Sequence, residues 1–371
     1  KCGNIVNARK TFDNMHTKDR ISWNSIISAY AQQGHTKEAL EMFQAMHKGE
    51  ISPDRATFVA VLEACSHESA VSEGKQLHSH IKSRFLEADN IIGTALVNFY
   101  GKCGSLEDAK EVFENATNST VVLWTAMISA YVQQCRYDFA IQVFEQMKEE
   151  GIIPDKLAFS TILSACLGQG ALVLGKWFHT CILGTSFNSE VTIGNALVSM
   201  YGRCGGLIEA GTTFKEMVNP TVVSWTAMMS ACNHSGQPKQ TFHYYEKMVL
   251  NGIRPNKLTF ATLFDACASL AALTEGSNFY KLLVVDGIDP DLILATALIN
   301  LYSRCGCIED AKRVFDRMPK RNVASWNCII AAYHRQGDVN QVRNLFTQML
   351  KEKIRPDEIT FLSIISTFSH A

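Results

Sequence analysis

Short polar side chains recur at a fixed interval along this chain of 371 residues. Asn24, Thr125, Thr226 and Asn327 stand 101 residues apart, and each directly follows a tryptophan. An Asn amide offers both a hydrogen-bond donor and an acceptor, and a Thr hydroxyl is a smaller group. Such groups at a fixed period predict recognition by hydrogen bonding along a repeated surface.

The sequence carries no motif that would support an internal active site. It has no H-x-E with C-x-x-C, no phosphate loop, no G-x-S-x-G and no H-E-x-x-H. Seven of the 12 cysteines are themselves repeated at 101 residues, which indicates packing rather than zinc binding, and His78 and His179 are interpreted in the same way. No catalysis, metal or cofactor is therefore expected. The repeated cysteines are Cys2, Cys103, Cys204 and Cys305, and Cys65, Cys166 and Cys267.

Helical hairpins must position the repeated polar groups. Trp23, Ile26, Ile27 and Tyr30 share one helical face, and Gly34 is a stop signal after it. A second helix with similar apolar spacing follows, and Pro53 lies beyond its end. No strand-like alternation recurs, so the sequence predicts an all-α array of hairpins.

Each 101-residue block contains three kinds of hairpin. We call them Trp repeats (20–54, 121–155, 222–256 and 323–357), Phe repeats (55–89, 156–190 and 257–291) and short repeats (90–120, 191–221 and 292–322). They span 35, 35 and 31 residues. The flanking segments 1–19 and 358–371 are a partial short repeat and a truncated Phe repeat, so a longer array is expected. The four residues missing from the short repeats are predicted to come from the loop after the second helix.

Bulk composition limits the kind of partner. At 47% hydrophobic residues the chain can bury a continuous core, and no apolar run is long enough to cross a membrane. The formal net charge of −1 provides no single-sign field that would drive polyanion binding alone. Any nucleic-acid binding must therefore depend on local contacts.

The repeated phrases resemble those of pentatricopeptide repeats. VVSWTAMMSACNHSG from Val222, GKCGSLEDAKEVF from Gly101 and the Pro-Asp endings at 53–54, 154–155 and 356–357 carry the resemblance. The 35, 35 and 31 cycle looks like the P, L and S motifs of the PLS subclass of land-plant organelles. The resemblance implies a right-handed α-solenoid superhelix and a location in the mitochondrion or chloroplast, with any targeting peptide outside this chain.

In this family the fifth and last residues of a motif read the Watson–Crick edge of one base, with the RNA 5′ end at the N-terminal motif. Pairs in the Phe repeats depart from the family's reading pairs, so their bases stay open. The implied element is 5′-U-N-R-G-N-C-A-N-A-U-3′. Its readable pairs are Asn24 with Asp54 (U), Thr94 with Thr120 (a purine), Thr125 with Asp155 (G), Asn195 with Thr221 (C), Thr226 with Asn256 (A), Thr296 with Asn322 (A) and Asn327 with Asp357 (U).

Two other positions carry implied roles. The second residue sandwiches bases in the family, and Ile21, Val122 and Val223 occupy it here, with the smaller Ala324 in the last Trp repeat. The thirteenth residue is expected to contact the RNA backbone, and it is basic in the three short repeats and in the last Trp repeat. Simpler explanations are a helix cap or turn for the polar pairs, helix packing for the aliphatics and a solvated face for the cations. The basic residues are Lys102, Arg203, Arg304 and Arg335.

The resemblance implies a sequence-specific binder of single-stranded organellar RNA, used as the recognition array of a C-to-U RNA editing factor. Partners would be that RNA and editing-complex proteins, with no membrane. Any deaminase region would lie beyond this chain, which is therefore not expected to be an enzyme. Two alternatives remain: an organellar RNA processing or stability factor without editing, and a peptide-binding α-solenoid scaffold.

Overall fold

The computed structural model describes residues 5–67, 70–84, 86, 89–116, 119–166 and 169–369. Within these ranges there are 22 α-helices, two short 3-10 helices (Gln169–Ala171 and Ser186–Ser189) and no β-strand. The all-α prediction is confirmed. The first residues of the partial repeat 1–19, including Lys1 and Cys2, and the last residues of 358–371 lie outside the described part. No helix of that part is long and apolar enough to span a bilayer.

The chain forms two compact units, residues 1–166 and 167–371. The first unit contains α1 (Ile5–Asp13), α2 (Arg20–Gln32), α3 (Thr36–Lys48), α4 (Arg55–His67), α5 (Val71–Ser83), α6 (Asn90–Lys102), α7 (Leu106–Glu114), α8 (Val121–Gln133), α9 (Tyr137–Glu149) and α10 (Lys156–Ala165). The second unit contains α11 (Leu172–Leu183), α12 (Val191–Arg203), α13 (Leu207–Glu216), α14 (Val222–His234), α15 (Pro238–Leu250), α16 (Lys257–Leu270), α17 (Leu273–Val285), α18 (Leu292–Arg304), α19 (Ile308–Arg317), α20 (Val323–Gln336), α21 (Val339–Lys351) and α22 (Glu358–Ser369). Each even-numbered helix from α2 to α22 begins at the first residue of a repeat, and we call these the first helices.

Local sequence explains where a first helix begins and ends. In α2, the Asp19 side chain caps the helix by accepting a hydrogen bond of 2.8 Å from the Ser22 amide. Trp23, Ile26 and Ile27 bury the apolar face. Gly34 has φ +73°, a left-handed conformation in which glycine has no Cβ penalty, and the helix stops there.

Within each unit, a first helix packs against the next first helix and against its own second helix. An edge-to-face aromatic contact joins each short repeat to the following Trp repeat, and its ring centroids lie 4.7 to 4.8 Å apart. These contacts explain why the tryptophans keep their period. The pairs are Phe12 with Trp23, Phe113 with Trp124, Phe214 with Trp225 and Phe315 with Trp326.

The repeated cysteines differ in burial, and Cys103 and Cys305 are only half-buried. Cys65, Cys166 and Cys267 are buried, as the sequence predicts. The ring nitrogen Nδ1 of His78 lies 2.9 Å from the Tyr100 hydroxyl, and that of His179 lies 2.8 Å from the Tyr201 hydroxyl. These side chains therefore hold neighbouring helices together. Across the described ranges, no group of three or more His, Cys, Asp or Glu residues is placed to hold a metal ion.

The prediction that the short repeats lose four residues from a loop is wrong in its placement. Helix α13 has 10 residues, whereas the equivalent helix α3 has 13. The connection after α13 covers 217–221, and the one after α3 covers 49–54. In the repeat 191–221, three of the four missing residues are therefore absent from the second helix. Helix α13 ends before Met217, whereas the equivalent Met46 lies within α3.

Glycine allows two first helices to approach closely. A Cβ on Gly202 would lie 2.5 Å from the Cβ and 2.7 Å from the Cα of Ala231 on the next first helix. Because backbone atoms cannot give way as a flexible side chain can, Gly202→Ala should overpack this contact.

We expect Gly202→Ala to lower the free energy of unfolding by about 1 to 3 kcal/mol, although alanine by itself favours a helix by about 1 kcal/mol. Chemical denaturation measures the change. Gly184→Ala is the control, since its Cβ would meet nothing closer than the Cys181 carbonyl oxygen at 3.7 Å. Equal stability of the two variants would contradict the close approach.

Candidate nucleic-acid interface

The fold brings the predicted fifth and last residues together in two Trp repeats. The Asn24 Nδ2 donates to Asp54 Oδ1 over 3.0 Å. The Asn327 Nδ2 donates to Asp357 Oδ1 over 2.9 Å and faces Oδ2 at 3.1 Å. Each Asn lies in a first helix and each Asp lies immediately before the next one. One hydrogen-bonding group is thus built where two successive repeats meet.

The last residue of a repeat also caps the following helix. Asp54 accepts from the Thr57 amide over 3.0 Å, Asp155 from the Ala158 amide over 2.8 Å, Asn256 from the Thr259 amide over 2.9 Å, Asn322 from the Ser325 amide over 2.9 Å and Asp357 from the Thr360 amide over 2.9 Å. The simpler explanation of these residues as caps therefore holds. Capping uses one polar atom of each carboxylate or amide, so the other polar atom can bind a second partner.

The two Asn–Asp pairs hold ionised carboxylates. Burial disfavours the charge on Asp54. Hydrogen bonds from the Thr57 backbone amide, the Asn24 side-chain amide and the Thr57 hydroxyl outweigh burial, so the pKa of Asp54 lies below its ordinary value. A hydrogen bond from the Thr360 backbone amide, and then one from the Asn327 side-chain amide, lower the pKa of Asp357. Both carboxylates are therefore acceptors only at neutral pH.

The threonines in the fifth position form hydrogen bonds within their own helices. Their hydroxyls donate to a carbonyl of their own helix, over 2.6 to 2.8 Å. The donor is thereby used, and the oxygen lone pairs remain available as acceptors. The pairs are Thr94 with Asn90, Thr125 with Val121, Thr226 with Val222 and Thr296 with Leu292.

The remaining polar residues make fewer contacts. The Asn195 Oδ1 is buried with no hydrogen-bond partner among the described residues. The Thr221 hydroxyl lies 3.4 Å from the Ser224 hydroxyl. Thr120 is the residue before α8, and its side chain makes no capping hydrogen bond. The structure therefore does not join Thr94 to Thr120 as it joins Asn24 to Asp54.

Aliphatic second residues point to solvent instead of packing inside. Ile21 is 74% exposed, Val122 is 56% exposed and Val223 is 53% exposed. Burial in the core therefore does not account for these three residues. Ala324 is exposed as well. Second residues of other repeats are also large, apolar and exposed: Ile91 and Leu157 in the first unit, and Leu258, Ile293 and Ile359 in the second.

In the first unit, a cleft joins these two kinds of residue. Thr125 and Asp155 lie on its wall, together with the exposed side chains of Val122 and Leu157. Thr94 of the preceding repeat closes one side. The cleft thus offers hydrogen-bonding groups between two apolar surfaces, which suits a flat polar molecule with an apolar face.

The cations in the thirteenth position lie at the ends of first helices. Lys102 and Arg304 are exposed, and Arg203 is half-buried with its Nε unpartnered among the described residues. Arg335 donates to the Ser303 hydroxyl. Burial and the nearby charge of Arg304 lower the pKa of Arg335. Two positive groups thus lie near each other in the second unit, where an anion would relieve their repulsion.

Sequence reasoning missed a third member of the polar groups. Thr57, Thr259 and Thr360 are each the third residue of a Phe repeat, and each contacts the fifth residue of the preceding Trp repeat. The Oγ1 of Thr57 lies 2.6 Å from Asn24 Oδ1, that of Thr360 lies 2.6 Å from Asn327 Oδ1, and that of Thr259 lies 3.0 Å from the Thr226 hydroxyl. The sequence pattern that could have identified them is a threonine as the third residue of three Phe repeats, with Ala158 at that position in the fourth.

Comparison with known protein families decides the relationship. The model of the PPR repeat family matches residues 18–67, 119–168, 220–269 and 321–370. A PPR repeat model also matches 94–116, 195–219 and 294–323. The chain belongs to the pentatricopeptide repeat family. This assignment confirms the family resemblance seen in the repeated phrases.

Curated pentatricopeptide repeat proteins of Arabidopsis thaliana align along the whole chain. The chloroplastic protein At4g18520 is 35% identical over 99% of this chain and 60% of its own length. The chloroplastic protein At1g11290 is 34% identical over 100% of this chain and 46% of its length. The mitochondrial protein At3g09040 is 34% identical over 100% of this chain and 36% of its length. The chain thus spans between 36% and 60% of the length of these relatives.

A solved pentatricopeptide repeat structure has the same fold. It is the crystal structure of PPR10 in complex with an 18-nt psaJ RNA element, and it matches 100% of this chain and 60% of its own with a TM-score of 0.59 and 18% identity. The predicted α-solenoid of helix-turn-helix pentatricopeptide repeats is therefore confirmed.

Proposed function

We propose that this pentatricopeptide repeat chain binds single-stranded RNA sequence-specifically, with one base for each repeat. The observation that carries the proposal is the joined fifth and last residue, Asn24 with Asp54 and Asn327 with Asp357, at 2.9 to 3.0 Å. The RNA bound to PPR10, a protein of similar fold, supports it. So does the exposure of aliphatic second residues, on which bases can lie.

The polar pairs supply the donors and acceptors that a base edge needs. Uracil presents an N3–H donor beside a carbonyl acceptor. In the pair of Asn327 and Asp357, the carboxylate accepts the N3–H, and the free N–H of the Asn327 amide donates to the carbonyl. The same arrangement of Asn24 with Asp54 assigns U to both ends of the site.

Two Trp repeats with the same fifth residue are distinguished by the last one. Asn256 uses its Oδ1 to cap α16, so its Nδ2 is left as a donor for the N1 acceptor of adenine. Asp155 caps α10 with one oxygen and offers only acceptors, which suit the N1–H and exocyclic N–H donors of guanine. The pair of Thr226 with Asn256 is therefore assigned A, and that of Thr125 with Asp155 is assigned G.

Two of the remaining pairs follow the family pattern. Thr94 with Thr120 is a combination that is uncommon in the family, and with these three pairs the element is 5′-U-N-R-G-N-C-A-N-A-U-3′. Ile21, Val122 and Val223 sandwich bases in this assignment, and Lys102, Arg203, Arg304 and Arg335 contact phosphates, which position the strand without reading it. The other assigned pairs are Thr94 with Thr120 (a purine), Asn195 with Thr221 (C) and Thr296 with Asn322 (A).

The biological role proposed is target recognition by a PLS-class organellar C-to-U RNA editing factor. The 35, 35 and 31 cycle of repeats at the boundaries given above supports the subclass. Chloroplastic and mitochondrial relatives support an organellar location. Editing-complex proteins would then be partners, and a factor for organellar RNA processing or stability is the alternative.

Val122→Ser separates a base contact from a packing role. Because Val122 is 56% exposed, its truncation should change the free energy of unfolding by no more than about 0.5 kcal/mol. RNA affinity should fall by about 1 kcal/mol through weaker stacking. Thermal unfolding and equilibrium binding of the same sample measure both quantities. A large loss of stability with unchanged affinity would show that Val122 serves the fold.

Equilibrium binding to a 10-nt RNA tests the proposed function directly. An RNA that matches the element should bind more tightly than its permuted version by about 4 to 10 kcal/mol, the range of specific over non-specific recognition. The same RNA annealed to its complement should lose binding, since the base edges are then occupied. Equal affinity for matched and permuted strands would refute sequence-specific binding.

A further inference from the structure

We infer that the third residue of a Phe repeat is a specificity-determining position for the base read by the preceding Trp repeat. Thr57 and Thr360 hold it here, as positioning residues whose hydroxyls set which end of an asparagine amide faces the RNA. The inference rests on the proposed function, because it concerns how the same site reads its base. It gives the Phe repeats a role even though their own fifth and last residues depart from the reading pairs.

The contacts of Thr360 define the geometry. Its Oγ1 lies 2.6 Å from Asn327 Oδ1 and 2.8 Å from Asp357 Oδ1, and it accepts from the Asp357 amide over 3.2 Å. Thr360 is fully buried. Thr57 repeats the arrangement, 2.6 Å from Asn24 Oδ1 and 3.0 Å from Asp54 Oδ1. The one hydroxyl hydrogen has two acceptors within reach, the asparagine amide oxygen and the aspartate Oδ1, and the amide oxygen is the nearer of the two.

An amide needs such a contact because its two ends have similar shapes and opposite hydrogen-bonding character. With a carboxylate on one side and a hydroxyl donor on the other, the Asn327 nitrogen must face Asp357 and the oxygen must face Thr360. The second N–H of the Asn327 amide then suits the carbonyl of uracil. A reversed amide would present oxygen instead, which suits the exocyclic N–H of cytosine.

The chain provides its own comparison. The three Trp repeats whose pair includes an asparagine are each followed by a threonine at this place, namely Thr57, Thr259 and Thr360. The fourth pair, Thr125 with Asp155, has no amide, and Ala158 follows it. A carboxylate has two equivalent oxygens and the Thr125 hydroxyl is held by its own helix, so that pair has no orientation for a hydroxyl to set.

Base preference in the valine and serine variants tests the inference. Thr360→Val keeps the shape and removes the hydroxyl, and we expect it to reduce the preference for U over C at the last base by about tenfold, the size of one hydrogen bond to a polar partner. Thr360→Ser should retain the preference. Thr57→Val should act on the first base only and leave the last unchanged. Thr347→Val on the exposed side of α21 is the matched control.

The outcomes separate the two proposals. If the unaltered protein binds with a preference for U and Thr360→Val keeps it in full, the third-residue inference is overturned and the proposed function stands. If both valine variants lose affinity equally for U and C, the hydroxyls serve only stability and the inference is again overturned. If the unaltered protein fails to bind single-stranded RNA, the proposed function fails, and the inference fails with it.

Discussion

A double substitution of Asn327→Thr and Asp357→Asn is expected to change the preferred last base from U to A. The new pair copies Thr226 with Asn256, so a self-bonded hydroxyl and an outward amide N–H replace the Asn–Asp group. A matched pair of contacts discriminates by about 1 to 3 kcal/mol, so the ratio of affinities should invert by about 5- to 150-fold in each direction. Competition between RNAs that differ only at that base measures it.

The reciprocal exchange is the control for this change of base. Thr226→Asn with Asn256→Asp should convert the seventh base from A to U and leave the tenth unaltered. Since Thr259 already follows this repeat, the new asparagine would have a hydroxyl partner at the position that Thr360 holds for Asn327. An unchanged preference in both exchanges would show that the repeats do not read bases in the proposed register.

Removal of the second unit's cations is expected to weaken RNA binding most at low salt. Each phosphate that the protein neutralises on a single strand contributes about 0.7 to the slope of log affinity against log salt. Arg203→Gln, Arg304→Gln and Arg335→Gln together should therefore reduce that slope by about 2. At about 50 mM salt, the same relation predicts that affinity falls on the order of 10²-fold. Base preference should be retained, because phosphate contacts carry no sequence information.

A charge-matched variant controls for the change in net charge. Arg313, Arg317 and Arg343 are exposed on the second helices α19 and α21, which carry none of the proposed base-reading residues. Their conversion to glutamine removes the same three charges. If this control weakens binding as much as the first variant, the cations act through overall charge and not through positions on the first helices.

Much of the fold could be predicted from the sequence because one spacing rule recurs in every block. Trp23, Ile26 and Ile27 share a helical face, and the structure buries that face. The placement of the missing residues in the short repeats could not be predicted in this way. Apolar spacing identifies Met217 as an anchor but does not show that α13 ends before it.

The candidate site was predicted in part. The pairing of Asn24 with Asp54 was implied by the family resemblance, and the structure joins these two side chains across 30 positions of sequence. The exposure of Val122 could not be predicted, since an aliphatic residue near a helix start looks the same whether it packs or faces solvent. Thr57 was missed because it belongs to the next repeat, and its role appears only when the two hairpins are in contact.

Selection of bound sequences from a randomised pool of single-stranded RNA at moderate salt tests the central claim most directly. The account predicts enrichment of U-N-R-G-N-C-A-N-A-U, read from 5′ to 3′ along the chain from its N-terminal repeat. Enrichment of a different element would contradict the register, and a bound pool without enrichment would contradict base reading by this array.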